Sequence, residues 1–455
     1  MMPLVAIIAV GLPTLAGTFA VDTLSRARRP LAWRLGMGFL TGQFAVVALL
    51  YVSLRCLGGG NAGWIAAILG VACAAGYDLR RRRKTPAMDA AAPTTALTGS
   101  QRWLLYVITA GLVVKLAMML ASVSVVTIRG DDAISIWLYK AKVIASLDAL
   151  PLDPDDPYYL GGSFANYPLM NSLAAAWPTM LSGAWDERLA VASWPAFYLA
   201  AVLVVAGGLR ADCGPLVAWA AAYVVASVPL AIVHVLRPGY ADLPLAAFAV
   251  ATMASAMAWR RNGHPGDLAL ALIMATAMAC WKREGIAVAL IIVLVMLPTR
   301  RRLAERTGSL PWGRLALLAA GLVTWTLAVV DFSDQAATLR DLGWQPGVIA
   351  ALERHAFRWS SFGLLFWLIA AGLAVLPMAN AARDRAVCAI VVAGMLAFVA
   401  GVFLLTPQSR FALNDQTPSR LLLQIAPAMI VALTATLFDR RDDPRRRPSP
   451  DAGSP

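Results

Sequence analysis

Long apolar runs alternate with short polar breaks along almost the whole chain. The runs, about 14–25 residues each, fall at 3–20, 35–57, 62–77, 103–127, 187–208, 215–235, 243–260, 267–281, 285–298, 315–330, 361–377, 387–405 and 421–438. A helix rises 1.5 Å per residue, so about 20 apolar residues cross about 30 Å of hydrocarbon. Lipid offers the backbone no hydrogen-bond partner, and a helix satisfies its own. The pattern therefore predicts an all-α polytopic membrane protein with about 13 transmembrane helices. One further apolar stretch, YPLMNSLAAAWPTMLSG at 167–183, is set apart from these.

The polar breaks give the reason. Basic residues concentrate in SRARRPLAWR, DLRRRRK, WRRNGH, TRRRLAER, ARDR and DRRDDPRRR. Short basic loops stay on the cytoplasmic side. Thirteen crossings with an outside N-terminus put all six there. A crossing at 167–183 would move WRRNGH, TRRRLAER and DRRDDPRRR outside. That stretch is therefore read as an interfacial or re-entrant helix on the outer face, where Tyr167 and Trp177 suit an interface. The remaining outer loops are longer and rich in aromatics, at about 129–186, 237–242, 281–285, 331–360 and 406–420.

Composition narrows the class. The chain is 59% hydrophobic and 14% charged, with a mean hydropathy of +0.67. Soluble domains run about 45–50% apolar and about 25% charged, so a soluble enzyme and a disordered chain are both excluded. The net charge of +13 follows the loops, so the expected partner is a lipid bilayer and not nucleic acid. Arg outnumbers Lys 34 to 5. The five cysteines sit in or beside apolar runs without metal or disulfide spacing, so no metal site is predicted. The first run lacks a basic flank and reads as a membrane helix and not a cleaved signal. The organisation expected is a three-helix membrane extension over 1–78, a basic cytoplasmic linker over 79–101, a core over 102–438 and a cytoplasmic tail over 439–455.

Candidate chemistry lies at the outer breaks. In TIRGDDAISIWLYKAKVI, Gly130 turns the chain, and Asp131 and Asp132 open a short helix whose N-terminal end favours carboxylates. Helical offsets put Asp131, Ser135, Leu138 and Lys142 on one face. Adjacent acids at a membrane surface can supply a general base, here Asp131, or bind a cation. LDPDDPYYL carries three acids, but its prolines break calcium-loop geometry. In HVLRPGYADLPLA, Arg237 and Tyr240 precede Asp242, which enters an apolar span as an N-cap or a site. In ACWKREG, Lys282, Arg283 and Glu284 join two short apolar segments. Cations there call for an anion, and a lipid phosphate or Glu284 itself would serve. Arg410 and Arg420 lead into the last span, and the planar guanidinium suits phosphate or snorkels to the surface. Lys115 is a mid-span cation expected to pair inside the protein.

The order GDD, WLYKAK, NYPL, GYADLPLA, WKREG and SRLLLQIAP resembles the GT-C superfamily of integral membrane glycosyltransferases over about residues 101–438. The nearest likeness is to bacterial glycosyltransferase-39-like proteins, relatives of protein O-mannosyltransferases and lipid A aminoarabinose transferases. Relatives often carry His or Lys before YPL, where this chain reads SFANYPL. The resemblance implies a polyprenyl-phosphate-linked sugar donor and a glycan, lipid or protein acceptor. It implies a catalytic Asp at Asp131 with Asp132 beside it, and a donor-phosphate contact at Arg420, to which Arg237, Lys282 and Arg283 are added. Lys142, Tyr167, Tyr240, Asp242, Glu284 and Arg410 are the substrate-binding candidates. No cofactor is called for; a divalent metal fits the family but nothing here asks for one. A lipid-linked polysaccharide polymerase or ligase and a lipid or solute transporter are the rivals. The expected location is a bacterial inner membrane, with the site facing outside.

Overall fold

The computed structural model describes residues 2–25, 29–82, 97–125, 130–160, 167–296, 312–330, 342–379, 382–414 and 417–438. Most of the basic linker, Asn166, the TRRRLAER run, residues 331–341 and the tail lie outside them. Among the described residues every regular element is helical. The long helices are α1 (Met2–Leu24), α2 (Leu31–Cys56), α3 (Ala62–Arg82) and α4 (Gly99–Val125). A π-helical turn (Ala133–Leu138) leads into α5 (Tyr139–Leu147), followed by α6 (Met170–Ser182) and α7 (Glu187–Ala190). Next come α8 (Trp194–Cys213), α9 (Pro215–Ala226), α10 (Pro229–Leu236), α11 (Asp242–Asn262), α12 (Pro265–Trp281) and α13 (Glu284–Met296). The last are α14 (Trp312–Val329), α15 (Val348–Ala356), α16 (Trp359–Phe362), α17 (Leu365–Val375), α18 (Ala382–Leu405), α19 (Ser409–Leu413) and α20 (Pro418–Leu437).

Eight described helices are long and apolar enough to cross a membrane. The pair α9–α10 counts as a ninth if its 60° bend lies within one span. Four shorter apolar helices, Pro265–Trp281, Glu284–Val293, Gly313–Val329 and Leu365–Met378, fall below that length. The chain is thus a multi-pass α-helical membrane protein.

The 167–183 stretch forms α6, whose 13 residues reach only about 20 Å, short of a crossing. Residues Met170 to Thr179 are buried against protein. Trp177 is fully buried and donates its indole N–H to the Ala9 carbonyl at 2.9 Å. An interface anchor needs a wet rim, so Trp177 is a core residue and not the anchor expected. The helix packs against α1, α2 and α5, which cover it.

Packing follows membrane rules, in which small residues let helices approach. A Cβ on Gly42 would stand 1.8 Å from the Pro13 carbonyl oxygen, and one on Gly17 2.0 Å from that of Gly38. Only glycine fits this α1–α2 seam. Phe39 of α2 meets Phe197 of α8 edge-on at 5.0 Å, which ties the N-terminal helices into the same apolar core.

Charge is sorted to the two ends of the bundle. At one end Arg34 binds Asp22 at 2.5 Å, Arg260 binds Asp384 at 3.2 Å, Arg29 binds Asp267 and Arg261 binds Asp212. These are the ends that join α1 to α2, α8 to α9 and α11 to α12, together with the start of α18. The opposite end carries Asp132, Asp242, Lys282, Glu284 and Arg420.

Candidate functional site

Chain breaks place the charged side chains at that second end. Pro238 and Gly239 stop α10, and α11 then opens on Asp242, where a carboxylate faces the positive end of the helix. After Trp281 the backbone becomes extended at Lys282 and turns into α13 at Glu284. Pro418, at the first turn of α20, starts the helix two residues before Arg420.

Asp242 is the hub. It is fully buried. Its Oδ1 accepts from Lys282 Nζ at 3.0 Å and from Gln424 Nε2 at 2.6 Å, and its Oδ2 accepts from Arg420 Nε at 2.8 Å. Lys282 also pairs with Glu284 at 3.2 Å. The outward edge of Arg420 donates through Nη1 to Asp132. One chain of alternating charge thus joins α11, α20, the α12–α13 turn and the segment after α4. A buried carboxylate is costly unless it is paired and hydrogen-bonded. Three donors meet that need, and the hub holds four separate segments in register.

Aromatic rings wall the cluster. Tyr240 lies between Arg420, 4.9 Å from its ring centre, and the His234 ring at 5.0 Å. Its edge rests on Gly130, where a Cβ would come 2.5 Å from Cε2. Tyr167 stands 5.9 Å from the Arg283 guanidinium and meets Trp137 edge-on at 5.2 Å. Asn171 of α6 accepts from Trp281 Nε1 at 2.9 Å and donates to the Gly239 carbonyl at 2.9 Å. The short helix α6 therefore braces both turns that carry charge.

Protonation follows from these neighbours. Burial works against the Lys282 ammonium, but Asp242 and then Glu284 outweigh it and hold its pKa above the ordinary lysine range. Lys140 is also buried, and its pKa moves the other way. Burial, and then Arg283, lower its pKa to about 8. Burial pushes up the Tyr240 phenol against the pull of Arg420, and Asp132 and Asp131 add to the rise. Burial and Glu284 raise that of Tyr167.

The structure thus brings together Asp132, Tyr240, Asp242, Lys282, Glu284 and Arg420, with Tyr167 and Arg283 beside them. Asp131 is exposed at the cluster's edge, and no ion pair among the described residues holds its carboxylate. Lys142, Arg237 and Arg410 are exposed. None of the described contacts joins them to the cluster, and Arg410 instead lies 4.8 Å from the Phe411 ring. Three expectations change. Of the four cations expected at the donor phosphate, Arg237 stands apart, with no described contact to the cluster. The helical face through Asp131, Ser135, Leu138 and Lys142 is broken by the π-helical turn, whose wider winding buries Leu138 and exposes the other three. Asp242 lies beneath the cluster, as a support, and does not reach its surface.

Other residues join that sequence reasoning passed over. Gln424 sits four residues after Arg420, one helical turn along the same face, so spacing alone would have paired them. His234 is buried beneath Tyr240, and among the described residues its Nδ1 has no hydrogen-bond partner. His355 Nδ1 lies 2.7 Å from Ser419 Oγ, next to Arg420. Lys140 and Asn171 carried no local signal. Lys115 pairs inside the protein, donating to Ser227 Oγ at 2.9 Å, at the α9–α10 break, under the Tyr223 ring. Among the described residues no group of three or more His, Cys, Asp or Glu is placed to hold a metal ion.

No family model matches the chain, and no curated protein or solved structure matches it. What can be said of its chemistry rests on its own geometry.

Proposed function

We propose that the chain is a membrane glycosyltransferase of the GT-C kind. It transfers a sugar, with inversion, from a polyprenyl-phosphate donor to an acceptor hydroxyl or amine on the outer face of a bacterial inner membrane. One observation carries this reading: an acid pair, Asp131 exposed and Asp132 half-buried, stands beside an arginine whose other edge is anchored in a buried ion network. That end lies opposite the basic loops, which supports an outward-facing site in a chain of thirteen crossings. The four shorter apolar helices and the bent pair would complete that number.

Asp131 is the general base. It takes the acceptor proton as the acceptor oxygen or nitrogen bonds to the anomeric carbon. The bond from that carbon to the phosphate oxygen breaks, and its electron pair leaves on the lipid phosphate. The outward edge of Arg420 meets the developing charge, a planar donor pair suited to phosphate. Lys282 is buried and turns to Asp242 and Glu284, so its part is to hold Arg420 in place through Asp242.

The test is transfer by purified protein in lipid, supplied with polyprenyl-phosphate sugars and membrane acceptors. Asp131→Asn is expected to lower the rate by about 10²–10⁴-fold with the fold intact. Asp132→Asn should be milder. Wild-type protein that transfers no sugar from any such donor, or Asp131→Asn at near wild-type rate, would refute the reading.

A further inference from the structure

Arg420 has two unequal edges. Its Nε side is locked to Asp242, which is fully buried and held in turn by Lys282 and Gln424. Among the described residues its Nη1 side pairs with Asp132 alone, whose side chain is 41% exposed, against 21% for Arg420. The inner edge is fixed, and the outer edge carries a replaceable anion. A partly exposed ion pair adds less stability than a buried one, and competing anions that reach its open edge weaken it. The donor's phosphate, a diester between lipid and sugar, brings one negative charge shared by two oxygens matched to the guanidinium fork, and the monoester left after transfer brings more.

We propose that Asp132 is a stand-in for the donor's phosphate, occupying Arg420 only while the site is empty. This rests on the glycosyl-transfer reading above and adds an order of events to it. The carboxylate keeps the guanidinium aimed outward and neutralised when no donor is present. An arriving lipid phosphate takes the outer edge of Arg420, and Asp132 swings off it. The freed carboxylate then stands beside Asp131, on the side from which the acceptor must approach. The acceptor pocket is therefore completed only after the donor has bound.

The position of Asp132 makes the exchange easy. It begins the π-helical turn, and no hydrogen bond from that turn's backbone holds its side chain. Tyr240 fixes the guanidinium from one face, so Arg420 need not follow the departing carboxylate.

The experiment measures binding of dodecyl phosphate to the full chain in lipid nanodiscs, with no sugar or acceptor present. Asp132→Asn removes the competing anion and is expected to bind about 1.5- to 5-fold more tightly than wild type, the range of a weak, partly exposed ion pair. Asp132→Glu, which keeps the charge, should bind like wild type. Asp131→Asn removes the same charge one residue away without touching Arg420, so it should gain clearly less. Equal tightening by Asp131→Asn and Asp132→Asn would make the effect a general charge effect and overturn the stand-in role. Unchanged or weaker binding by Asp132→Asn, with wild-type binding intact, would overturn it alone. No binding by either protein would remove the phosphate site and the glycosyl-transfer reading together.

Discussion

Replacing Asp242 by Asn tests the ion network most directly. The substitution keeps the shape and removes the charge. Asp242 is fully buried and accepts from Lys282 at 3.0 Å, Gln424 at 2.6 Å and Arg420 at 2.8 Å. An amide has one acceptor oxygen where the carboxylate has two, so at least one of these donors would face an N–H. Breaking a buried pair by removing one partner costs about 3–5 kcal/mol. Here Lys282 keeps Glu284 at 3.2 Å and Arg420 keeps Asp132, so the lower end, about 3 kcal/mol, is expected. Cys280 offers the assay. It is fully buried, two residues before Lys282. With the other four cysteines replaced, its labelling by a thiol reagent reports opening of the α12 end. A loss of about 3 kcal/mol raises that opening about 10²-fold. Adding Lys282→Met to Asp242→Asn removes one stranded cation and should recover part of the loss. Labelling within about twofold of wild type in Asp242→Asn would refute the idea that this carboxylate organises the site.

Three further outcomes follow. Lys140 has a pKa lowered to about 8 in the fold, so between there and its ordinary value near 10.5 the unfolded chain binds more protons. Stability should therefore rise from pH 8 towards pH 10, by an amount on the order of 3 kcal/mol at most, and Lys140→Met should flatten that rise in denaturation curves. Gly130→Ala puts a Cβ 2.5 Å from the Tyr240 ring, so it should destabilise by about 1–3 kcal/mol. The same change in a Tyr240→Ala background should cost much less, and additive losses would show that the two do not touch. Single cysteines at Asp155 and Asn262, both exposed, should label oppositely in intact cells with an impermeant reagent, Asp155→Cys reacting and Asn262→Cys not. The reverse pattern would invert the topology.

The membrane character of this chain was legible in one dimension because hydrocarbon imposes a local rule. Each segment must be apolar and must bond its own backbone, and no distant residue changes that. The expected sidedness came from the same kind of local signal, since basic loops carry their address in their own composition. The status of 167–183 was legible in part. Charge parity denied it a crossing, but only the surrounding helices decided that it is buried and that Trp177 is core.

The site followed another rule. Asp132, Asp242, Lys282 and Arg420 each stood out as an ionisable residue at a break in apolar sequence, because such groups are costly there. Which of them meet depends on how far each helix end is turned and tilted, and that is set by packing across the whole bundle. Asp132 and Arg420 are 288 residues apart. Nothing near either one distinguishes Arg420, whose guanidinium is anchored, from Arg237 and Arg410, which face out. The sequence alone determined a multi-pass helical protein with its charges gathered at chain breaks, because burial in lipid acts on each segment separately. Only the tertiary structure decided that Asp242 is the hub and Asp132 its exposed end, because pairing energies depend on distances between segments that local sequence does not encode.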